Sequence, residues 1–239
     1  MKIKVEEYKI NNLIEYLKIL EGNHFDMFRG HADCNWELLP KIGRMFKSFK
    51  YLDGYEDWNT FEDDILERFK KYGIQYLKKE PKNIIEWLVI GQHHGLPTRL
   101  LDWTKNPLKA LFFSIIELPY VDGCVWAYEH TFYSGKIENL DKINILDPYY
   151  PDQIDYRLIA QEGCFTLHPF PKENVPLIPI ENIKFHHKSI RSLVKIIIPY
   201  IKKKDIGYDL TRFGINYRSL FPDLDGLAKQ INWEFPFYF

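Results

Sequence analysis

The stretch Thr98-Arg99-Leu100-Leu101-Asp102-Trp103-Thr104, followed by Asn106-Pro107-Leu108-Lys109-Ala110-Leu111-Phe112, decides the fold class. The first half reads as a strand. Alternation puts Arg99, Leu101 and Trp103 on one side and Leu100, Asp102 and Thr104 on the other. The second half is a helix with its own start signal. Asn106 is a good N-cap, Pro107 is well tolerated in the first turn, and Leu108, Leu111, Phe112 and Ile115 share one face. A strand feeding a helix in mid-chain calls for a mixed architecture.

Outward from this pivot, helices and strands alternate irregularly. Asn11 reads as the cap of a short helix with Leu13, Ile14, Leu17 and Leu20 on one stripe and Gly22 as its stop. A strand at about Asp26 to Phe28 follows. Thr60, with Asp63 three residues on, opens a helix carrying Phe61, Ile65, Phe69, Tyr72 and Tyr76, which Pro81 ends. Asn83 and Glu86 open another, running out near Gly95. Strands are expected at Cys124 to Tyr128, Gly163 to Leu167 and Leu193 to Ile198. Two short helices and a solvated lysine run at 202 to 204 complete the chain. The irregular order favours an α+β fold with a central, mostly antiparallel sheet flanked by helices over a doubly wound parallel sheet. Nothing in composition breaks residues 1–239 into more than one domain.

Composition narrows the function classes. The 239 residues carry 32 basic and 33 acidic side chains, a net charge of -1, so no global charge draws the chain to nucleic acid or an anionic membrane. Cys34, Cys124 and Cys164 are widely spaced, which argues against a disulfide framework or a thiolate zinc site and for the cytoplasm. The acidic start, Met1 to Glu7, does not read as a signal peptide, and no apolar run reaches membrane-spanning length. The pairs His93-His94 and His186-His187 lack a metal-binding spacing, so no metal is expected. Neither Ser114 nor Ser134 lies in a nucleophile motif, and glycine-rich phosphate loops are absent.

Three polar clusters remain as candidate chemistry. In Phe28-Arg29-Gly30-His31-Ala32-Asp33, the planar donor fork of Arg29 suits phosphate or carboxylate, and Gly30 lets backbone pass close to a ligand. A structural Arg29 to Asp33 pair is the plain alternative. The segment from Gln92 to Thr104 crowds His93, His94, Thr98, Arg99, Asp102 and Thr104 among apolar residues. Here Arg99 and Asp102 must each find a partner elsewhere. The third cluster, Arg157 to Thr166, sets Gln161 and Glu162 before a glycine and a strand, where a carboxylate serves as a general base or binds ribose hydroxyls.

These same residues carry a resemblance. Phe28-Arg29-Gly30-His31-Ala32-Asp33 with Asn35-Trp36 and Leu38-Leu39-Pro40 resembles the opening signature of the FRG domain family of bacteria and phages. Gln92 to Thr104, with Asn106-Pro107 and Ala110 to Phe113, is similar to its central signature. Arg157, Gln161, Gly163 and Phe165 resemble a later pattern, as does the tail Leu220-Phe221-Pro222-Asp223-Leu224-Asp225-Gly226. Glu162 departs from that pattern, where glutamine is the more usual residue.

A second resemblance is to arginine-type ADP-ribosyltransferases, in the order Arg29, then Asp102-Trp103-Thr104 before a helix, then Gln161-Glu162. It is an analogy of pattern. It implies an ADP-ribosyltransferase-like fold with NAD in a cleft. Arg29 would hold the pyrophosphate or ribose, with Gly30, His31, Thr98, Trp103 and Thr104 around the cofactor. Gln161 or Glu162 would bind ribose hydroxyls, and His93, Arg99 and Asp102 would complete the site. The implied role is an effector in toxin or anti-phage defence that acts on a protein or nucleic acid, or cleaves NAD. Two other classes stay open: a non-catalytic module sensing a nucleotide or phage component, and a nuclease-like toxin using Asp33, His93 and Asp102.

Overall fold

The computed structural model describes residues 4–45, 54–55, 57–77, 79–131, 140, 143–152, 156–172, 175–183 and 189–235. Among them, seven strands form one open sheet: β1 (Glu6–Lys9), β2 (Met27–His31), β3 (Leu100–Thr104), β4 (Gly123–His130), β5 (Asp147–Tyr149), β6 (Gly163–Leu167) and β7 (Ile190–Ile198). Their spatial order is β1-β7-β4-β2-β3-β6-β5. Every pairing is antiparallel except β1 with β7. The α+β expectation, with a mostly antiparallel sheet and flanking helices, is thus met.

Nine α-helices pack around the sheet among the described residues: α1 (Leu13–Leu20), α2 (Lys41–Met45), α3 (Trp58–Gly73), α4 (Ile84–His93), α5 (Pro107–Ile115), α6 (Tyr156–Ala160), α7 (Tyr200–Arg212), α8 (Tyr217–Leu220) and α9 (Leu224–Glu234). One sheet face buries Phe28, Val125, Ala127, Val194 and Ile196 against α1, α5 and α7. The opposite face buries Met27, Leu101, Trp103, Trp126 and Tyr128. Leu100, Phe165 and Leu167 of β3 and β6 pack with Leu66 of α3 and Ile85 and Leu88 of α4. The alternation read from Leu100 to Trp103 therefore holds in three dimensions, with Leu100 and Leu101 in different clusters.

Several local boundaries move. The cap of α1 is Asn12, whose side chain accepts from Glu15 N, and the buried residues of the helix are Leu13 and Tyr16, while Ile14 and Leu17 are exposed. Asp57 caps α3 and accepts from both N and Oγ1 of Thr60, so Thr60 lies inside the helix it was expected to open. That helix ends at Gly73, well before Pro81, and leaves Tyr72 and Tyr76 exposed. The strand expected from Thr98 begins at Leu100, and the one expected from Asp26 runs from Met27 to His31. The Asn83 and Asn106 caps stand as read, the latter with Pro107 in the first turn. His186, His187 and Ser134 lie outside the described residues.

The lysine run also departs from expectation. Lys203 on α7 is 3% exposed, and its ammonium donates to the carbonyls of Ala32, Glu117 and Leu118 at 2.8, 3.1 and 3.1 Å. Burial lowers its pKa, with Asp122 and Asp33 acting in opposition. Three donors meeting three carbonyls explain how a lysine is tolerated there.

One contact brings α5 onto β2. A Cβ on Gly30 would lie 2.0 Å from Ala110 O and 2.7 Å from Ser114 N, so only glycine admits the helix backbone at that distance.

Candidate functional site

The sheet forks beside Gly30. β2 pairs with β4 over five registered residues and β3 with β6 over five, yet β2 and β3 share only the pair Phe28 and Thr104. Beyond that pair the two strands part, and their facing backbone groups need other partners. Arg29 supplies one. Its Nη1 donates to Asp102 O at 2.5 Å and stands 3.7 Å from Asp102 Oδ2. The Asp33 partner is excluded, since Asp33 Oδ1 instead accepts from N and Nδ2 of Asn35 in a local turn.

Arg29 is oriented on its other flank by His31, whose Nε2 accepts the Nε–H at 2.9 Å while Nδ1 lies 3.2 Å from Trp36 O. Only the neutral tautomer with its proton on Nδ1 satisfies both contacts. Burial, and next the Arg29 cation, push the His31 pKa down to about 2. Arg29 itself is lowered by burial, with the Asp102 carboxylate opposing. After these bonds, Arg29 Nη2 carries no hydrogen bond among the described residues. Its donors face a ligand-sized opening.

That opening is a cavity of about 300 Å³ lined by Arg29, Gly30, Trp36, Asp102, Thr104 and Gln161, among others. A second cavity, of about 500 Å³, is lined by Gln92, His93, His94, Asp102, Tyr156 and Gln161 among others. Asp102 and Gln161 belong to both, so the two hollows adjoin at these side chains. Each volume falls within the range of small-molecule sites.

Asp102 is held from two directions. Besides Arg29, Gln92 Nε2 donates to its Oδ1 at 2.6 Å, and Gln92 Oε1 accepts from Thr98 Oγ1. Thr98 is buried and acts through Gln92 without lining either cavity. The carboxylate nevertheless keeps 57% of its side-chain surface exposed. Gln161 is anchored by Nε2 to Leu220 O at 3.3 Å, and its Oε1 accepts no hydrogen bond among the described residues. Thr104 Oγ1 donates to Gln161 O at 2.6 Å and accepts from Asn106 N, so this hydroxyl ties β3 to the turn before β6.

Two expected site residues, Arg99 and Glu162, serve elsewhere. Arg99 is 1% exposed, pairs with the buried Glu62 at 2.5 Å, donates to Leu140 O and Asn59 Oδ1, and stacks 3.8 Å over Phe170. It fastens α3 to the sheet and is absent from both cavity walls. Glu162 sits at φ +49, and its Oε1 accepts from Asn106 Nδ2 at 3.1 Å and Lys109 Nζ at 2.8 Å. The Lys109 bond holds its pKa below the ordinary carboxylate value, and it too lines neither cavity. Trp103 lines the first cavity, and its indole donates to Thr166 Oγ1 and lies 5.5 Å from the Tyr128 ring. Gly30 lines the cavity, but its lack of a side chain serves α5.

Gln92, Trp36 and Glu117 are cavity residues to which sequence reasoning gave no role. Gln92 and Trp36 stood inside quoted signatures, so a signal existed; Glu117 lay beyond them. Arg157 donates Nε and Nη2 to Asp223 Oδ2 at 2.8 and 2.5 Å, joining the third signature to the tail signature. Among the described residues, no group of three or more His, Cys, Asp or Glu side chains is arranged to hold a metal ion, and no helix is long and apolar enough to cross a membrane.

The residues around the fork are the ones a family model reads. Residues 25–119 match the model of the FRG domain. The chain carries an FRG domain. No curated protein and no solved structure matches the chain. The matched stretch of the FRG domain contains β2, β3 and α5 and hence both strands of the fork, Arg29, His31, Gln92 and Asp102. Gln161, which lines the first cavity, lies beyond it, as does the tail.

Proposed function

We propose that the FRG domain binds NAD or a closely related nucleotide at the sheet fork and acts on it as an ADP-ribosyltransferase-like or NAD-cleaving enzyme. The observation that carries this reading is the Arg29 guanidinium. It is fixed on two sides, leaves Nη2 uncommitted, and shares a cavity with Asp102 and the open acceptor of Gln161. A preorganised planar donor suits a pyrophosphate, and an amide acceptor suits ribose hydroxyls.

In this reaction the C1′–N bond to nicotinamide breaks and its electron pair leaves with the nicotinamide. Water or an acceptor group then adds at C1′ and loses a proton. Positive charge develops on the ribose in between, and the exposed Asp102 carboxylate, oriented by Gln92, is the group that stabilises it. The effector role in toxin or anti-phage defence, with a protein or nucleic acid as target, is part of the same proposal.

The test measures NAD binding by calorimetry and NAD loss by chromatography. Wild type binds and consumes NAD. Arg29→Ala weakens binding by about 10- to 100-fold, the scale of a lost charged hydrogen bond, with an unchanged circular dichroism spectrum. Folded wild-type protein with no affinity for NAD overturns the reading. A second reading, a non-catalytic sensing module, is favoured by the retention of Glu162 on Lys109, which removes one acid from the cavity. It predicts tight nucleotide recovered unchanged after incubation.

A further inference from the structure

A third cavity, of about 480 Å³, adjoins the fork cavity, and Asp102 is not among its lining residues. The two share Phe113, Ile116 and Glu117. Beyond these the third cavity is walled by Tyr217, Phe221 and Trp233, with Lys229 and Asn232 supplying polar groups. Phe113 and Phe221 meet edge to face with centroids 6.1 Å apart, and Tyr217 lies 6.1 Å from Trp233. Such walls suit a flat aromatic ring.

The walls are built into the fold. Phe221 belongs to the tail signature, whose Leu220 O anchors Gln161 of the fork cavity. Asp223 caps α9 by accepting from Gly226 N at 2.9 Å and is gripped by Arg157. A Cβ on Gly226 would meet Phe221 O at 1.9 Å, so the tail folds tightly onto the start of α9. Trp233 is seated against Gly207 of α7, where a Cβ would meet its ring at 2.7 Å. The aromatic walls are therefore set before any ligand arrives, which lowers the ordering cost of binding.

Resting on the nucleotide reading above, we propose that this third cavity is the subsite for the adenine of the dinucleotide. Its polar complement fits that base. Glu117 offers an acceptor for the exocyclic amine, while Lys229 and Asn232 offer donors for ring nitrogens. The dinucleotide then crosses Arg29 between the two rings, with its nicotinamide half on the Asp102 side.

The two halves of NAD provide the test. Adenosine, nicotinamide mononucleotide and NAD are titrated into wild type, Phe221→Ala, Asn232→Trp and Arg29→Ala by calorimetry and ligand-observed NMR. Asn232 is exposed, so a tryptophan there fills the cavity without removing a core residue, even if Phe221→Ala fails to fold. We expect Asn232→Trp to weaken adenosine and NAD by about tenfold or more and to leave the mononucleotide unchanged, while Arg29→Ala weakens the mononucleotide and NAD and spares adenosine. NAD binding that is indifferent to Asn232→Trp overturns the subsite and leaves the fork reading standing. Adenosine binding lost in Asn232→Trp, in a protein with no affinity for NAD, upholds an adenine site and removes the dinucleotide reading. Wild type that binds none of the three overturns both.

Discussion

At the scale of single residues, the fold resists the protonation of His31. Its Nε2 is occupied by the Arg29 Nε–H and it is 2% exposed, so a second proton has neither an acceptor nor water. The folded pKa near 2 lies below the unfolded value near 6.5, so below pH 6.5 the unfolded chain binds the proton and the folded chain does not. The resulting stability is whole above pH 6.5 and is lost as pH falls toward 2, by about 1.4 kcal/mol per pH unit. Denaturant unfolding between pH 7 and pH 5 should show this slope in wild type and lose it in His31→Asn. Arg99 behaves differently, being charged and buried against Glu62. Glu62→Gln leaves the cation with a weaker partner and should cost about 3–5 kcal/mol, a fall of roughly 10 °C or more in Tm. Nucleotide affinity of the folded variant should be unchanged. Sequence disclosed that Arg99 and Asp102 needed partners, yet it did not disclose which. Glu62 lies 37 positions away, and the lysine that removes Glu162 from the cavity lies 53 positions away. Partners so distant in sequence leave no periodic trace.

At the scale of elements, helix α5 was the most legible because its signals are local: Asn106 caps it and Pro107 fits its first turn. What could not be read was how near it comes to the sheet. Gly30 was expected to make room for a ligand, and the structure uses it to make room for Ala110 O. Gly30→Ala should therefore cost about 3 kcal/mol or more, since backbone must move. Gly214→Ala, at φ +78 with nothing within 4 Å, should cost only about 1 kcal/mol for the left-handed conformation. Equilibrium unfolding of the two variants separates crowding from backbone strain. Strands β1 and β5 escaped sequence reading altogether. The first is exposed at all four residues and offers no apolar alternation, and the second is three residues long with Pro148 at its centre. Both lie at the ends of the sheet, where short strands and proline are tolerated.

At the scale of the whole molecule, the fork depends on strands on both sides of it. The stretch 25–119 holds only β2 and β3, joined by one registered pair, while β4 and β6 come from later in the chain. An excised 25–119 fragment should show no cooperative thermal transition, and the full chain should show one. A sharp transition in the fragment would refute this. The candidate site was legible as three signatures in the sequence, and the fork that brings them together was not, because it arises from pairings that stop. The buried ammonium of Lys203 has a last consequence at this scale. Two of its three carbonyl partners belong to Ala32 and Glu117, which line the fork cavity, and the third to Leu118 after α5, so the amine becomes available to reagents only when these segments separate. Under an amine-reactive label followed by mass spectrometry, Lys203 should modify last among the described lysines, at a rate set by opening of the molecule. Bound nucleotide should slow it further, giving a chemical clock for occupancy that needs no knowledge of the reaction.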